Sequence, residues 1–153
     1  MTLHVVLVHP RIPQNVGAVA RVCAATKSIL HVVRPVPFEL SDRSLKRAGM
    51  DYMKFVDLRV HEDWEACAAL LGDRPKWLLS SHGTNSLFAA ELSGDDALLF
   101  GSEETGLPDD LMQLFANRLL RIPMLEPQAR CLNLSTATAV VVYEALRKCG
   151  GLG

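Results

Sequence analysis

Short aliphatic runs alternate with helical segments along this chain, and this alternation constrains its fold more than any other feature. The predicted strands comprise residues 3–8, 30–33, 55–60, 77–80, 97–100 and 118–122. The predicted helices comprise residues 15–27, 43–48, 63–71 and 133–148. Strands that are joined through helices form parallel sheets with helices packed against them. We therefore predict an α/β protein with a mostly parallel sheet and helices on both faces.

The composition predicts one domain over residues 1–153. A chain of 153 residues that is 49% hydrophobic and 22% charged is long enough to bury a core. No apolar run approaches the ~18 residues of a membrane span, and the first residues lack the basic start of a signal peptide. The four cysteines and five histidines lack the close spacing of metal ligands. We expect a cytoplasmic protein with reduced thiols, no metal and no membrane contact.

The charges are unevenly distributed although their sum is only −1. Residues 1–60 contain nine Lys and Arg against four Asp and Glu, a net charge of +5, and residues 61–153 contain seven against thirteen, a net charge of −6. A basic half can present a positive face to phosphates. The alternative is a chance fluctuation, and charge alone does not decide between the two.

A glycine-rich acidic loop follows the fifth predicted strand. Residues 101–108 read Gly-Ser-Glu-Glu-Thr-Gly-Leu-Pro, and loops at strand ends of α/β proteins commonly bind ligands. The G-x-G-x-x-G, P-loop and G-x-S-x-G motifs are all missing. Residues 101–108 are therefore either a ligand loop that uses its backbone or simply a tight turn between a strand and a helix.

Two further loops each have a functional and a structural interpretation. In residues 121–135, Asn133 and Ser135 are good helix-capping residues, and a helix start also offers N–H groups to an anion. In residues 12–21, Asn15 is a predicted N-cap and Arg21 a solvated cation, but both can also border a cleft. The residues alone leave these alternatives open.

The three loops together resemble the signature of the SpoU-type ribose 2′-O-methyltransferases of the SPOUT superfamily. The matching patterns are N-x-G-x-x-x-R at residues 15–21, G-S-E-x-x-G-L at residues 101–107 and the segment 121–135. The resemblance implies a C-terminal trefoil knot, a homodimer and S-adenosyl-L-methionine (SAM) as cofactor. It implies SAM contacts from Leu79, Gly101, Leu107, Ile122, Cys131, Leu132 and Asn133. Serine is expected at position 131, so Cys131 departs from the pattern.

The resemblance also implies catalytic roles for Asn15, Arg21, Glu103 and Ser135, with Arg21 foremost. A guanidinium stays protonated and is a poor general base. We therefore expect Arg21 to bind the adjacent phosphate and to stabilise developing negative charge on oxygen. The hydroxyl proton passes to the phosphate, to Glu103, to Ser135 or to water, and the sequence does not decide which.

Residues 46–52, Lys-Arg-Ala-Gly-Met-Asp-Tyr, are similar to a segment of the small tRNA wobble-position branch of this family. That resemblance implies methylation of the wobble cytidine or uridine ribose in the tRNA anticodon stem-loop. RNA contacts are expected from Arg43, Lys46, Arg47, Arg130 and Tyr143. The alternatives are 2′-O-methylation of another tRNA position or of rRNA, and a non-catalytic dimeric RNA-binding protein of the same fold.

The last predicted helix is apolar on every side and must therefore be covered on every side. The sheet covers only one side of a helix, so a second copy of the chain is the simplest cover for the rest. The alternative is burial within one subunit. The apolar residues are Leu134, Ala137, Ala139, Val140, Val141, Val142, Tyr143, Ala145 and Leu146.

Overall fold

The computed structural model describes residues 1–47 and 55–153, and its centre is a parallel sheet. The strands are β1 (His4–Val8), β2 (Ile29–Val33), β3 (Asp57–His61), β4 (Lys76–Leu79), β5 (Asn85–Ser86), β6 (Ala97–Phe100) and β7 (Leu119–Arg121). Their order is β3-β2-β1-β6-β4-β7-β5, and all pairings are parallel. The predicted α/β class with a parallel sheet is confirmed.

Five α-helices accompany the sheet in the described part of the chain. They are α1 (Pro13–Thr26), α2 (Asp42–Arg47), α3 (Trp64–Leu71), α4 (Asp109–Leu114) and α5 (Leu134–Lys148). Among the described residues, no helix combines the length and the apolar character needed to cross a bilayer.

Strand β5 was not predicted, because its two polar residues carry no periodic signal. Helix α4 has six residues directly after Pro108, where the sequence indicated a helix start without giving its bounds. The predicted N-cap of α1 is wrong. The N-cap is Ile12, Pro13 opens the helix, and Asn15 lies inside the first turn. Proline fixes φ near its helical value, so the helix begins there without a side-chain cap.

The buried strand β1 separates two hydrophobic clusters. Val5 and Leu7 belong to a cluster that includes residues of α1 and α5, and Val6 and Val8 belong to a cluster that includes residues of α3 and α4. Successive side chains of a strand point to opposite faces of the sheet. The apolar run in β1 is therefore explained by burial on both of its faces.

Helix α5 buries one side within the chain. It packs on α1 and the sheet, with Val141, Val142 and Ala145 in the first of the two clusters. Val140 is only partly buried and Tyr143 is exposed. Burial inside the subunit thus accounts for part of its apolar surface, and the expected second copy remains a proposal.

Lys148 ties the end of α5 to the segment that follows β5. Its ammonium group donates hydrogen bonds to the backbone carbonyls of Leu87, Phe88 and Ala90. We expect Lys148→Met to lower the free energy of unfolding by about 1.5–3 kcal/mol, because charge-assisted bonds are lost and carbonyls lose partners. Urea denaturation measures this loss.

Lys76→Met is the matched control. Lys76, the first residue of β4, also donates to two carbonyls, but both lie within four residues of it, at residues 72 and 74. A local contact of this kind contributes less because it closes only a short segment of chain. Equal losses in the two variants would contradict the assigned role of Lys148.

Candidate active site

A cavity of about 540 Å³ opens at the carboxyl ends of β4, β6 and β7. Leu79 ends β4, Gly101 follows β6, and Ile122 follows β7, and all three line the cavity. Loops after parallel strands meet at one edge of a sheet, where α/β proteins bind ligands. The volume lies in the range of small-molecule sites.

The loop after β6 closes on itself as a tight turn. Ser102 and Gly106 exchange two backbone hydrogen bonds of 3.2 and 3.0 Å, and Gly106 has a positive φ of 72°. The Ser102 hydroxyl lies 2.7 Å from the Thr105 hydroxyl and accepts a bond from the Thr105 N–H. The turn is therefore built into the sequence by glycine and two hydroxyl residues.

Gly101 lets the end of this turn, at Gly106 and Leu107, pack closely against the residue that follows β6. A Cβ at Gly101 would lie 2.0 Å from the carbonyl carbon of Gly106 and 2.1 Å from the nitrogen of Leu107. Both are backbone atoms and cannot rotate away. Position 101 therefore requires glycine for close backbone approach.

Glu103 fastens this turn to the loop between β1 and α1. Its carboxylate accepts hydrogen bonds from the N–H groups of Arg11 at 2.8 Å and Ile12 at 2.9 Å, and from the Asn15 side-chain amide at 3.0 Å. Asn15 in turn accepts a long 3.4 Å bond from the Asn133 amide. This chain of contacts joins the three loops that the sequence singled out.

The hydrogen bonds also determine the charge of Glu103. Burial alone disfavours the carboxylate and raises its pKa, but the bonds from Asn15 and from the N–H groups of Arg11 and Ile12 outweigh burial. The net result is a lowered pKa. A carboxylate whose oxygens already accept three donors is suited to positioning rather than to taking up a further proton.

Asn133 is the N-cap of α5 and part of the cavity wall. Its side-chain oxygen accepts bonds from the Ser135 N–H at 2.9 Å and the Ser135 hydroxyl at 2.7 Å. The capping interpretation of Asn133 is correct, whereas Ser135 is the second residue of the helix and does not cap it. The cap does not exclude a role for Asn133 in ligand binding, because Asn133 lines the cavity together with Cys131 and Leu132.

The cavity collects most of the residues predicted from sequence. Its lining includes all seven predicted cofactor contacts, namely Leu79, Gly101, Leu107, Ile122, Cys131, Leu132 and Asn133, together with Asn15, Glu103 and Arg130. Arg21, Ser135 and Tyr143 are not among the lining residues. Arg21 is exposed on α1, and Tyr143 is exposed on α5.

The predicted basic helix lies apart from the cavity lining. Arg43, Lys46 and Arg47 are exposed residues of α2. Residues 48–52 of the predicted RNA segment lie outside the described residues.

Sequence reasoning missed the wall formed after β4. Ser80, Ser81 and His82 line the cavity. Arg121 supports this wall by donating to the carbonyls of Gly83 at 3.4 Å and Thr84 at 2.8 Å. The run Ser80-Ser81-His82-Gly83 directly after a predicted strand was the available signal, since loops at strand ends carry function.

We expect Glu103→Gln to destabilise the fold by ~1 kcal/mol at neutral pH, because an amide nitrogen would face a backbone N–H donor. The ionised carboxylate has a lower pKa in the folded chain than its ordinary value of 4.5. Its contribution is therefore present above that value and is lost as pH falls through the folded-state pKa. Urea denaturation of wild type and variant across acid pH measures the difference.

Glu104→Gln is the control for this comparison. Glu104 is exposed and makes a 3.3 Å ion pair with exposed Arg11, and such pairs contribute little. A stability difference for Glu103→Gln that stays constant down to the acid limit would contradict the role given to its charge.

Comparisons with known proteins agree on a family. Residues 2–143 match the model of the SpoU rRNA Methylase family. A tRNA (cytidine(34)-2′-O)-methyltransferase of Methylovorus glucosotrophus (strain SIP3-4) is 41% identical over 145 residues, which cover 94% of each chain. A solved structure that concerns the 2-OH methylation of C/U34 on tRNA has a TM-score of 0.91 and 44% identity, and the match covers 98% of this chain and 97% of that one.

A more distant solved structure carries a bound ligand. It is an AdoMet-bound rRNA methyltransferase from Sinorhizobium meliloti, with a TM-score of 0.81 and 25% identity. The match covers 95% of this chain and 56% of that chain.

Proposed function

Because this chain belongs to the SpoU rRNA methylase family, we propose that it methylates the ribose 2′-hydroxyl of the wobble nucleotide of tRNA, with SAM as the methyl donor. The observation that carries the proposal is the hydrogen-bonded chain of Asn133, Asn15 and Glu103, which joins all three family motifs at one cavity. The 41% identity to a tRNA (cytidine(34)-2′-O)-methyltransferase supports the choice of nucleotide.

The cavity suits SAM in size and chemistry. Its apolar walls are formed by Leu79, Leu107, Ile122 and Leu132. At Gly101, which has no side chain, the wall is formed by the backbone of the loop. Cys131 serves in place of the expected serine if its contact is made through the backbone. SAM, when bound, supplies a methyl group on a positively charged sulfur, which is a good leaving group.

The work left to the protein is positioning and charge stabilisation. Arg21 lies six residues after Asn15 on α1, and we assign it to the phosphate next to the reacting ribose and to the developing negative charge on the 2′ oxygen. Glu103 holds the β1–α1 loop in place. Its lowered pKa and three donors argue against its use as the proton acceptor. The phosphate, Ser135 and water remain as acceptors.

The RNA surface in this proposal consists of one basic residue at the cavity and exposed side chains outside its lining. Arg130 lines the cavity, and Arg43, Lys46 and Arg47 are exposed on α2. Positive side chains bind the phosphate backbone without reading its sequence. Tyr143 adds an exposed aromatic ring on α5, which suits stacking on an unpaired anticodon-loop base.

The remaining features of the family are part of the same proposal. Residues 1–153 form one domain, helices cover both faces of the sheet, and the C-terminal segment forms a trefoil knot. Two copies associate through α5, whose residues Ala139 and Val140 are only partly buried within the subunit. The two clusters on alternate sides of β1 support the helices on both faces. A cytoplasmic location follows from the tRNA substrate.

Labelled SAM, purified protein and bulk tRNA test the proposal. After nuclease digestion, label is expected in a 2′-O-methylpyrimidine nucleoside from position 34. Transfer to rRNA but not to tRNA would retain the chemistry and replace the substrate. SAM binding without transfer to either RNA would favour a non-catalytic RNA-binding protein.

A further inference from the structure

A cluster of buried ligand atoms lies outside the proposed active site. His31 in β2, His61 at the end of β3 and Cys67 in α3 each offer a nitrogen or sulfur atom, and these atoms all lie within 4.8 Å of one another. All three residues are buried, and none of them lines the 540 Å³ cavity. Two imidazoles and one thiol form a donor set typical of zinc sites.

His4 extends the cluster through hydrogen bonds. His31 Nδ1 lies 2.9 Å from His61 Nε2, and His31 Nε2 lies 2.9 Å from His4 Nδ1. The three rings stack with centroids 5.2 and 5.1 Å apart. A ligating histidine commonly uses its second nitrogen for a hydrogen bond that orients the ring, and His4 provides that bond to His31.

Burial keeps the histidines of the cluster in the neutral form and keeps Cys67 as a thiol. Burial is the main cause that lowers the pKa of His4, His31 and His61, with that of His31 lowered to about 3. Neutral imidazoles offer the lone pair that a metal ion needs. Burial also raises the pKa of Cys67 to about 12, so the thiol keeps its proton until an incoming cation displaces it.

We propose that His31, His61 and Cys67 form a binding site for a zinc-like divalent cation that joins β2, β3 and α3. The cation binds the two facing nitrogens and the thiolate sulfur, and the Cys67 proton is released to solvent. Three protein ligands leave one position of a tetrahedron for water. Coordination requires the facing nitrogens to separate slightly from their present hydrogen-bond distance. The site is structural, since it shares no residue with the cavity.

Cobalt(II) is the probe for this site, because a cobalt–thiolate bond has its own near-ultraviolet absorption. Tag-free protein is treated with chelator and then titrated with Co²⁺. We expect one equivalent to bind with a charge-transfer band, and Zn²⁺ to abolish the band by displacement. The band is expected to disappear in Cys67→Ser and to persist in Cys23→Ser, which replaces another buried cysteine. His4→Ala, which removes the hydrogen bond that orients His31, is expected to weaken binding by about 10–100-fold.

A second measurement on the wild-type chain keeps the test independent of variant folding. Without denaturant, Zn²⁺ is expected to slow alkylation of Cys67 more strongly than alkylation of Cys23, as read by peptide mass spectrometry. Absence of a stoichiometric cobalt band, or equal effects on both cysteines, would overturn the proposal.

Discussion

Gly101→Ala is expected to abolish SAM binding and methyl transfer. The new Cβ would lie 2.0–2.5 Å from the backbone of Gly106 and from the nitrogen of Leu107. Since these are backbone atoms, relief requires the turn at residues 102–106 to open. Opening the turn moves Glu103, and with it the contacts to Arg11, Ile12 and Asn15. Isothermal titration with SAM measures the loss of binding, and circular dichroism reports whether the fold survives.

Gly72→Ala separates this steric effect from the general cost of replacing a glycine. Gly72 ends α3 with a φ of 61°, and nothing lies within 4 Å of the position that a Cβ would occupy there. Gly72 has a ψ of −137°, so alanine at this position costs roughly 1–3 kcal/mol of backbone strain. SAM affinity is expected to stay unchanged. Wild-type SAM affinity in Gly101→Ala would show that the turn does not contact the cofactor.

Arg21→Ala is expected to lower the rate of methyl transfer by about 10²–10³-fold, which is typical for loss of a group that stabilises transition-state charge. SAM affinity is expected to be retained, because Arg21 is not among the cavity-lining residues. Single-turnover transfer to tRNA, with SAM binding measured in parallel, checks both expectations.

Two further variants define what Arg21 contributes. Arg21→Lys keeps the charge but loses the planar fork that binds phosphate with two N–H groups, so an intermediate rate is expected. Arg59→Ala removes an arginine of β3 that pairs with Asp57 at 2.9 Å, and near wild-type transfer is expected. A rate for Arg21→Ala within a few-fold of Arg59→Ala would refute a role for Arg21 in the reaction.

The location of the candidate site was predictable because it depends on local sequence and on one general property of parallel sheets. Aliphatic runs identified β4, β6 and β7, and their carboxyl ends share an edge. Leu79 ends β4, Gly101 follows β6 and Ile122 follows β7, and the three meet because the strand order makes β6, β4 and β7 neighbours. Their assignment to the cofactor came from the family resemblance. The knot, the dimer and the identity of SAM came from the family resemblance and not from periodicity.

The role of Asn15 was not predictable from its position. An Asn near the start of a helix favours a cap, but Pro13 begins the helix earlier and leaves the Asn15 side chain for Glu103 and Asn133. The histidine–cysteine cluster was missed for a related reason. His31, His61 and Cys67 lie on three different elements, so their spacing along the chain does not resemble that of a zinc motif.

By itself the sequence determined the element types, the parallel sheet and the glycine-rich turn, because hydrophobic period, helix-ending residues and φ preferences act within a few residues. The tertiary structure decided which side chains meet: Glu103 with the loop at residues 11–15, Lys148 with residues 87–90, and His31 with His4 and His61. These contacts depend on the strand order β3-β2-β1-β6-β4-β7-β5. Strand order results from the packing of the whole chain, and no local pattern encodes it.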